Sequence, residues 1–331
     1  MTNPIYTGPL KNHLQNYLEL NRAIGYKVSP TASHLKDFDN FVLEKYPEIT
    51  GLTKEIVLEW CRKKTYETQA TQYHRASFLR RFGTYLDSIG VKAYILPKKY
   101  YSVGKQYTPY IYTVAELKKF FAAIDQDQSR CSHVGPYRHQ IMPVIFRMIY
   151  MCGLRSSEAR LLKVADVDLE RGILTINQSK NDNSRLVPMS DSLTERCRTY
   201  SKEVHLLSGA EDYYFPTLEG EPMKKWLLYQ NFRKFLWDAG ISHRGRGKGP
   251  RIHDFRHTYA VHCLKKWVEE EKDLTAYFPI LKTYMGHHSF KETTYYLRMT
   301  ADVFPHITLK LEAHYLDIIP QLEGDTNDET Y

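Results

Sequence analysis

A single pair of strand-like runs in 331 residues restricts this chain to a mainly α fold with a small β component. Gly172-Ile-Leu-Thr-Ile-Asn177 and Ser184-Arg-Leu-Val-Pro188 read as two strands of a hairpin, with residues 178–183 as the turn. Nearly everywhere else the apolar residues recur at helical spacing. Leu10, Leu14, Tyr17 and Leu18 share one face before Gly25-Tyr26 interrupts it, and helices are expected over 31–43, 53–62 and 68–88. The last of these gathers Phe78, Leu79, Phe82, Tyr85 and Leu86, and Gly90 stops it.

Residues 1–96 form the first expected domain, an all-helical one. From Pro97 to Tyr112 periodicity fails, Pro and Gly appear, and Lys98, Lys99 and Lys105 alternate with tyrosines, as in an extended interdomain linker. Thr113-Val-Ala-Glu116 then reads as a capping box that opens a second domain over residues 113–320. In it, helices are expected over 140–151 (Pro143 in the first turn), 191–204, 223–239 and from His253 onward, and a last one carries Leu309, Leu311, His314, Tyr315 and Ile318. Residues 321–331 read as a disordered acidic tail.

The net charge is +8. The final segment holds Glu323, Asp325, Asp328 and Glu329 with no base, so the body is more basic than the total. A basic body favours a polyanionic partner. Hydrophobic residues make up 42%, enough for packed cores. Cys61, Cys131, Cys152, Cys197 and Cys263 are scattered without zinc-site spacing, and no signal peptide or membrane-spanning run is evident, which points to a reduced, cytoplasmic protein. Lys63, Lys64, Tyr66, Tyr73, His74, Arg75, Arg80 and Arg81 suit either a solvated helix face or one that faces DNA.

Three boxes carry the chemistry: Cys152-Gly-Leu-Arg155-Ser-Ser-Glu158, His253-Asp-Phe-Arg256-His257-Thr258, and Met285-Gly-His287 through Tyr295-Tyr296-Leu297. Attack on a phosphodiester builds negative charge on the non-bridging oxygens, which guanidinium groups match with paired donors. His253 and Arg256 share one face of a helical turn, and a histidine there can move protons. His253 and His257 also have the spacing of a zinc-protease helix, but the glutamate is missing and an arginine intrudes, so no metal is expected. His257 and His262 suit buried structural roles. The adjacent tyrosines point about 100° apart on a helix, so one of them enters a site.

These boxes, in this order, resemble those of the tyrosine recombinases of the phage-integrase family, with a lean toward members encoded by transposons and other mobile elements. The lean rests on the stretch from Trp267 to Leu281, which is longer than in compact chromosome-dimer resolving members. The resemblance implies an N-terminal helical core-binding (SAM-like) domain and a C-terminal catalytic domain that form a C-shaped DNA clamp. It implies a site-specific recombinase acting through a 3′-phosphotyrosyl intermediate without metal, ATP or other cofactor. Tyr296 is then the nucleophile, favoured over Tyr295 by its interval from His287. Arg155 and Arg256 hold the phosphate, Lys180 protonates the leaving oxygen, His253 is acid or base, and His287 supports the phosphate. Arg185 is a basic alternative to Lys180, and its strand position suggests a DNA-backbone contact. Lys98, Lys99, Lys105, Arg244, Arg246, Lys248 and Arg251 are the other expected DNA contacts. The expected partners are double-stranded DNA, further copies in a homotetramer and an accessory recombination protein. The rival readings are a catalytically silent DNA-binding protein of a recombination complex, a type IB topoisomerase and a metal-dependent nuclease.

Overall fold

The computed structural model describes residues 5–26, 29–104, 107–127, 137–177, 184–245 and 249–304. The chain divides into two compact units, Met1–Tyr107 and Thr108–Tyr331.

The first unit is helical: α1 (Lys11–Ala23), α2 (Ser29–Lys45), α3 (Lys54–Cys61) and α4 (Gln69–Ser88). Thr53 and Thr68 start α3 and α4 by accepting the backbone N–H of Ile56 and Thr71. The apolar stripes meet in one core around Leu18, Phe38, Trp60 and Phe82, where Phe38 lies edge-on to both Trp60 and Phe82. Two residues of the basic surface expected here are structural. Arg75 is buried and donates to the carbonyls of Trp60 and Arg62 and to Glu67. Arg80 donates to the carbonyls of Leu96, Pro97 and Lys98.

The boundary between the units falls inside the expected linker, and both ends of that stretch are anchored in a core. Leu96 is buried in the first unit. Tyr112 is buried in the second, stacked on Phe255 at 4.7 Å with its N–H on the Thr258 hydroxyl.

In the second unit, α5 (Val114–Gln126) opens on the expected capping box between Thr113 and Glu116. Next come α6 (Arg138–Met151) and the short α7 (Ser156–Arg160). Because α6 starts two residues earlier than expected, Pro143 lies past its first turn. A three-stranded antiparallel sheet follows, β1 (Val167–Asp168), β2 (Ile173–Ile176) and β3 (Arg185–Pro188), in the order β1-β2-β3. Ile176 pairs with Arg185, where the chain leaves β2 and re-enters as β3. The remaining helices are α8 (Asp191–Val204), α9 (Lys225–Asp238), α10 (Asp254–Glu269), α11 (Leu274–Met285) and α12 (Phe290–Val303). Phe120, Phe146, Phe232, Phe235 and Phe255 pack α5, α6, α9 and α10 into one core, and α10, α11 and α12 share another around Leu264, Phe278 and Leu297. Among the described residues, no helix is long and apolar enough to cross a membrane. The expected helix around Leu309 to Ile318 and the acidic tail lie outside the described residues.

Candidate active site

The last turn of a helix leaves its carbonyls without intrahelical partners, and its dipole favours cations there. The C-terminal end of α11 uses both properties. Gly286 adopts the left-handed conformation (φ 63°) that lets the chain turn back, with the N–H of His287 on the Lys282 carbonyl. Three successive carbonyls then each take one arginine. Tyr284 accepts from Arg185 Nε at 2.8 Å, Met285 from Arg256 Nη2, and Gly286 from Arg155 Nη2 at 3.2 Å.

Each arginine arrives from a different element. Arg256 sits in the first turn of α10, is 1% exposed, and also donates to the Gly153 carbonyl at 2.6 Å. Gly153 has φ 57°, and a Cβ there would stand 2.7 Å from the Tyr259 ring and 2.9 Å from Met285 Sδ. The Gly-Leu-Arg box therefore needs its glycine both for the turn and for close approach. Arg155 caps the start of α7, where the Glu158 carboxylate accepts its backbone N–H at 2.9 Å and its Nη1 at 2.7 Å.

Glu158 is buried and also accepts a forked pair from Arg185, at 3.1 and 2.8 Å. Burial works to raise its pKa, but the hydrogen bonds and charge of Arg185, with Arg155 and Arg256 beyond, bring it down to about 2. One carboxylate thus stands among three cations. Burial and the neighbouring Arg155 and Arg185 lower even the Arg256 guanidinium to about 10, against the opposing pull of Tyr296 and Glu158. A cationic surplus of this kind is a site for an anion.

Tyr296 of α12 faces this surplus. It is 3% exposed, lies 5.6 Å from the His287 ring in a near-parallel stack and 5.5 Å from His257, and has Arg256 beside its hydroxyl. Burial raises the phenol pKa, and Arg256 and Arg155 pull against that rise. Tyr295, the tyrosine not favoured by its interval from His287, is 41% exposed. The His287 Nδ1 is 2.8 Å from the buried Thr293 hydroxyl. Burial first, and then Arg256, Arg155 and Arg185, push the His287 pKa down to about 3. His257 is also held near 3, by burial and by the neighbouring His253 and Arg256. His253 is exposed at the start of α10, its ring 4.8 Å from that of His257.

Arg155, Arg256, His287 and Tyr296 therefore converge, with His253 at the rim. Lys180 lies outside the described residues, although β2 and β3 flank its segment. Lys105, Arg246 and Lys248 also lie outside them. Lys98, Lys99, Arg244 and Arg251 are exposed, with Arg244 over the Tyr110 ring. Arg185 corrects the expectation of a DNA-backbone contact: it is 8% exposed, and its donors are on Glu158 and Tyr284. Strand alternation carried the signal, since Arg185 shares the inward face with Val187. Among the described residues, no cluster of His, Cys, Asp and Glu could hold a metal ion.

The model of the phage integrase family matches residues 112–302. The chain belongs to the phage integrase family. It is accordingly a tyrosine site-specific recombinase, an enzyme of DNA strand breaking and rejoining. It is 29% identical over 311 residues to a putative integrase/recombinase, y4rB, of Sinorhizobium fredii, covering 92% of this chain and 97% of that one. It is 24% identical over 301 residues to a tyrosine recombinase of Pseudothermotoga lettingae, covering 88% and 93%. Among solved structures, XerH recombinase in a post-cleavage complex with a palindromic difH substrate aligns with a TM-score of 0.64 at 19% identity, over 93% of this chain and 90% of that one. A lambda integrase dimer bound to a COC' core site aligns at 0.61 and 16%, over 86% and 94%. Both likenesses establish the fold of this integrase-family chain.

Proposed function

We propose that this recombinase cleaves double-stranded DNA through Tyr296, forming a 3′-phosphotyrosyl bond without metal or ATP. The Tyr296 oxygen attacks the scissile phosphorus, the bond to the 5′-oxygen breaks, and the phenolic proton leaves to a base at the rim, to which His253 is closest in character. Lys180, in the sequence between β2 and β3, supplies the proton to the departing 5′-oxygen. Arg155 and Arg256 keep N–H groups beyond those given to carbonyls and Glu158, and these take the non-bridging oxygens. His287, held neutral and paired through Nδ1 with the Thr293 hydroxyl, would support the same phosphate through Nε2. An ordinary phenol ionises near pH ~10, so a buried one loses its proton only as attack proceeds. The phosphotyrosyl bond conserves the energy of the broken phosphodiester, so attack by a 5′-hydroxyl rejoins the strand and releases Tyr296 without ATP.

The observation that carries this reading is the burial of Tyr296 between His257 and His287 against Arg256, while its neighbour Tyr295 is 41% exposed. The biological setting that fits is integration, excision or transposition of a mobile element in the cytoplasm. Exposed Lys98, Lys99, Arg244 and Arg251 would contact the DNA backbone, and four copies plus an accessory protein would complete the complex. Incubation with labelled DNA from around the gene, in chelator, followed by a denaturing gel, tests the chemistry. The wild type is expected to give a protein-linked band that Tyr296→Phe loses and Tyr295→Phe keeps. A band that survives Tyr296→Phe removes the assignment.

A further inference from the structure

The buried Arg185 is not used by the mechanism above, yet its position is costly to maintain. It enters from β3, in a unit whose phosphate-facing arginines come from α7 and α10, and it crowds two further cations. Its Nε is on the Tyr284 carbonyl, one residue before the carbonyl that holds Arg256 and two before the one that holds Arg155. Its fork closes on both oxygens of the carboxylate that also holds Arg155. The turn is shaped around it: a Cβ on Gly286 would lie 2.9 Å from Arg185 Nη1 and 3.1 Å from its Cδ and Cζ.

We propose that Arg185 is a positioning residue for strand cleavage: by fixing the Glu158 carboxylate it aims Arg155 at the scissile phosphate, and it ties the β2–β3 hairpin to the turn that precedes His287. The proposal rests on the phosphotyrosyl reading. Among the described residues Arg155 donates to Glu158 and to the Gly286 carbonyl; Arg185 holds the same carboxylate and packs against Gly286. A forked pair fixes the carboxylate plane, which a single-point contact does not. The same residue begins β3, so this strand and Arg155 are held on one carboxylate.

The test compares wild type, Arg185→Lys, Arg185→Met and the double variant Arg185→Met/Glu158→Gln. For each, the rate of adduct formation on a nicked suicide duplex in chelator is measured against pH, together with DNA binding and thermal unfolding. Arg185→Met is expected to slow cleavage on the order of 10²-fold, the effect of misplacing a reacting group by about 1 Å, while binding stays near wild type. It is also expected to bring in an acid limb. The charged groups facing Glu158 are Arg185 from β3, Arg155 at the start of α7 and Arg256 of α10. Without Arg185 the carboxyl keeps its burial, loses its main counter-charge, and protonates at a higher pH, which releases Arg155. Arg185→Lys keeps the charge and is expected to fall between wild type and Arg185→Met.

The double variant removes both buried charges. It is expected to regain thermal stability, to lose the acid limb and to remain slow. Cleavage that returns with stability would reduce Arg185 to a structural ion pair and overturn the proposal. So would an Arg185→Met profile that keeps the wild-type rate and pH dependence. Absence of an adduct from the wild type would overturn the phosphotyrosyl reading itself, and this proposal with it, so the two failures are distinguishable.

Discussion

Two buried arginines, one in each unit, show how the same residue can be structural or functional. Arg75, 5% exposed, sits on the Trp60 ring, donates to two carbonyls, and is matched one-to-one by Glu67. Its charge is neutralised where it lies, and it leaves nothing for a ligand. Arg256 is at least as buried and also donates to two carbonyls, but the nearest carboxylate, Glu158, is already engaged by Arg155 and Arg185. Burial therefore does not separate the roles. The ratio of cations to carboxylates does, and of the two regions only the second has the cationic surplus that the proposed phosphate site requires.

The widest gap between the two is expected on substitution by alanine. Arg256→Ala should lower the cleavage rate on the order of 10³-fold, the scale for losing a donor aimed at developing charge, with site binding largely intact. Its melting temperature should fall less than that of Arg75→Ala, because removing one cation relieves two others. Arg75→Ala leaves Glu67 buried and unpaired, a loss of about 3–5 kcal/mol, with the chemistry of the surviving folded molecules unchanged. Adduct assays beside thermal melts of the two variants decide it. A larger melting loss for Arg256→Ala with retained cleavage would reverse the distinction drawn here.

Gly286→Ala probes the surplus from the backbone side. The residue has φ 63°, and the added methyl meets Arg185. The strain is expected to cost about 1–3 kcal/mol and to slow cleavage, because the carbonyls that hold all three arginines belong to this turn. Gly90→Ala in the first unit, also at positive φ (79°) but with open space around the added methyl, should lose stability without affecting cleavage. Equal cleavage rates for the two variants would show that the turn does not set the arginines.

How legible this was in the sequence follows from the distances along the chain. The β hairpin, the Thr113 capping box and the helical first unit rest on neighbours within a few residues, and they were readable as patterns. The boxes gave Arg155, Arg256, His287 and Tyr296 through family resemblance, and the fold brings them together. The assembly device, three arginines on three successive carbonyls, joins residues 131, 29 and 99 positions apart, which no local pattern encodes. The expectation for Arg185 fails because a strand arginine close to Lys180 looks solvent-facing. The inward alternation with Val187 pointed the other way, but its partner Glu158, 27 residues earlier, is visible only in the fold.

Acid pH should separate the two units by a smaller and graded effect. In the catalytic unit, His257 and His287 are held near pKa 3, mainly by burial, against an ordinary value of 6.5, and His205, His243 and His262 are also lowered. In the first unit only His34, among the described residues, is lowered. A histidine with a depressed folded pKa stays neutral while the unfolded chain takes up a proton, so stability falls as pH drops from 6.5 toward 3. Each such group contributes a slope of up to about 1.4 kcal/mol per pH unit. Glu158, lowered to about 2 from 4.5, adds its own loss only below 4.5, so between 6.5 and 4.5 the histidines dominate. Denaturant unfolding across that window should show the catalytic unit losing stability faster than the first, and His257→Asn should flatten its slope. An unchanged slope in that variant would mean that the imidazole beside Tyr296 is protonated in the folded enzyme, and that the cationic surplus is larger than the three arginines supply.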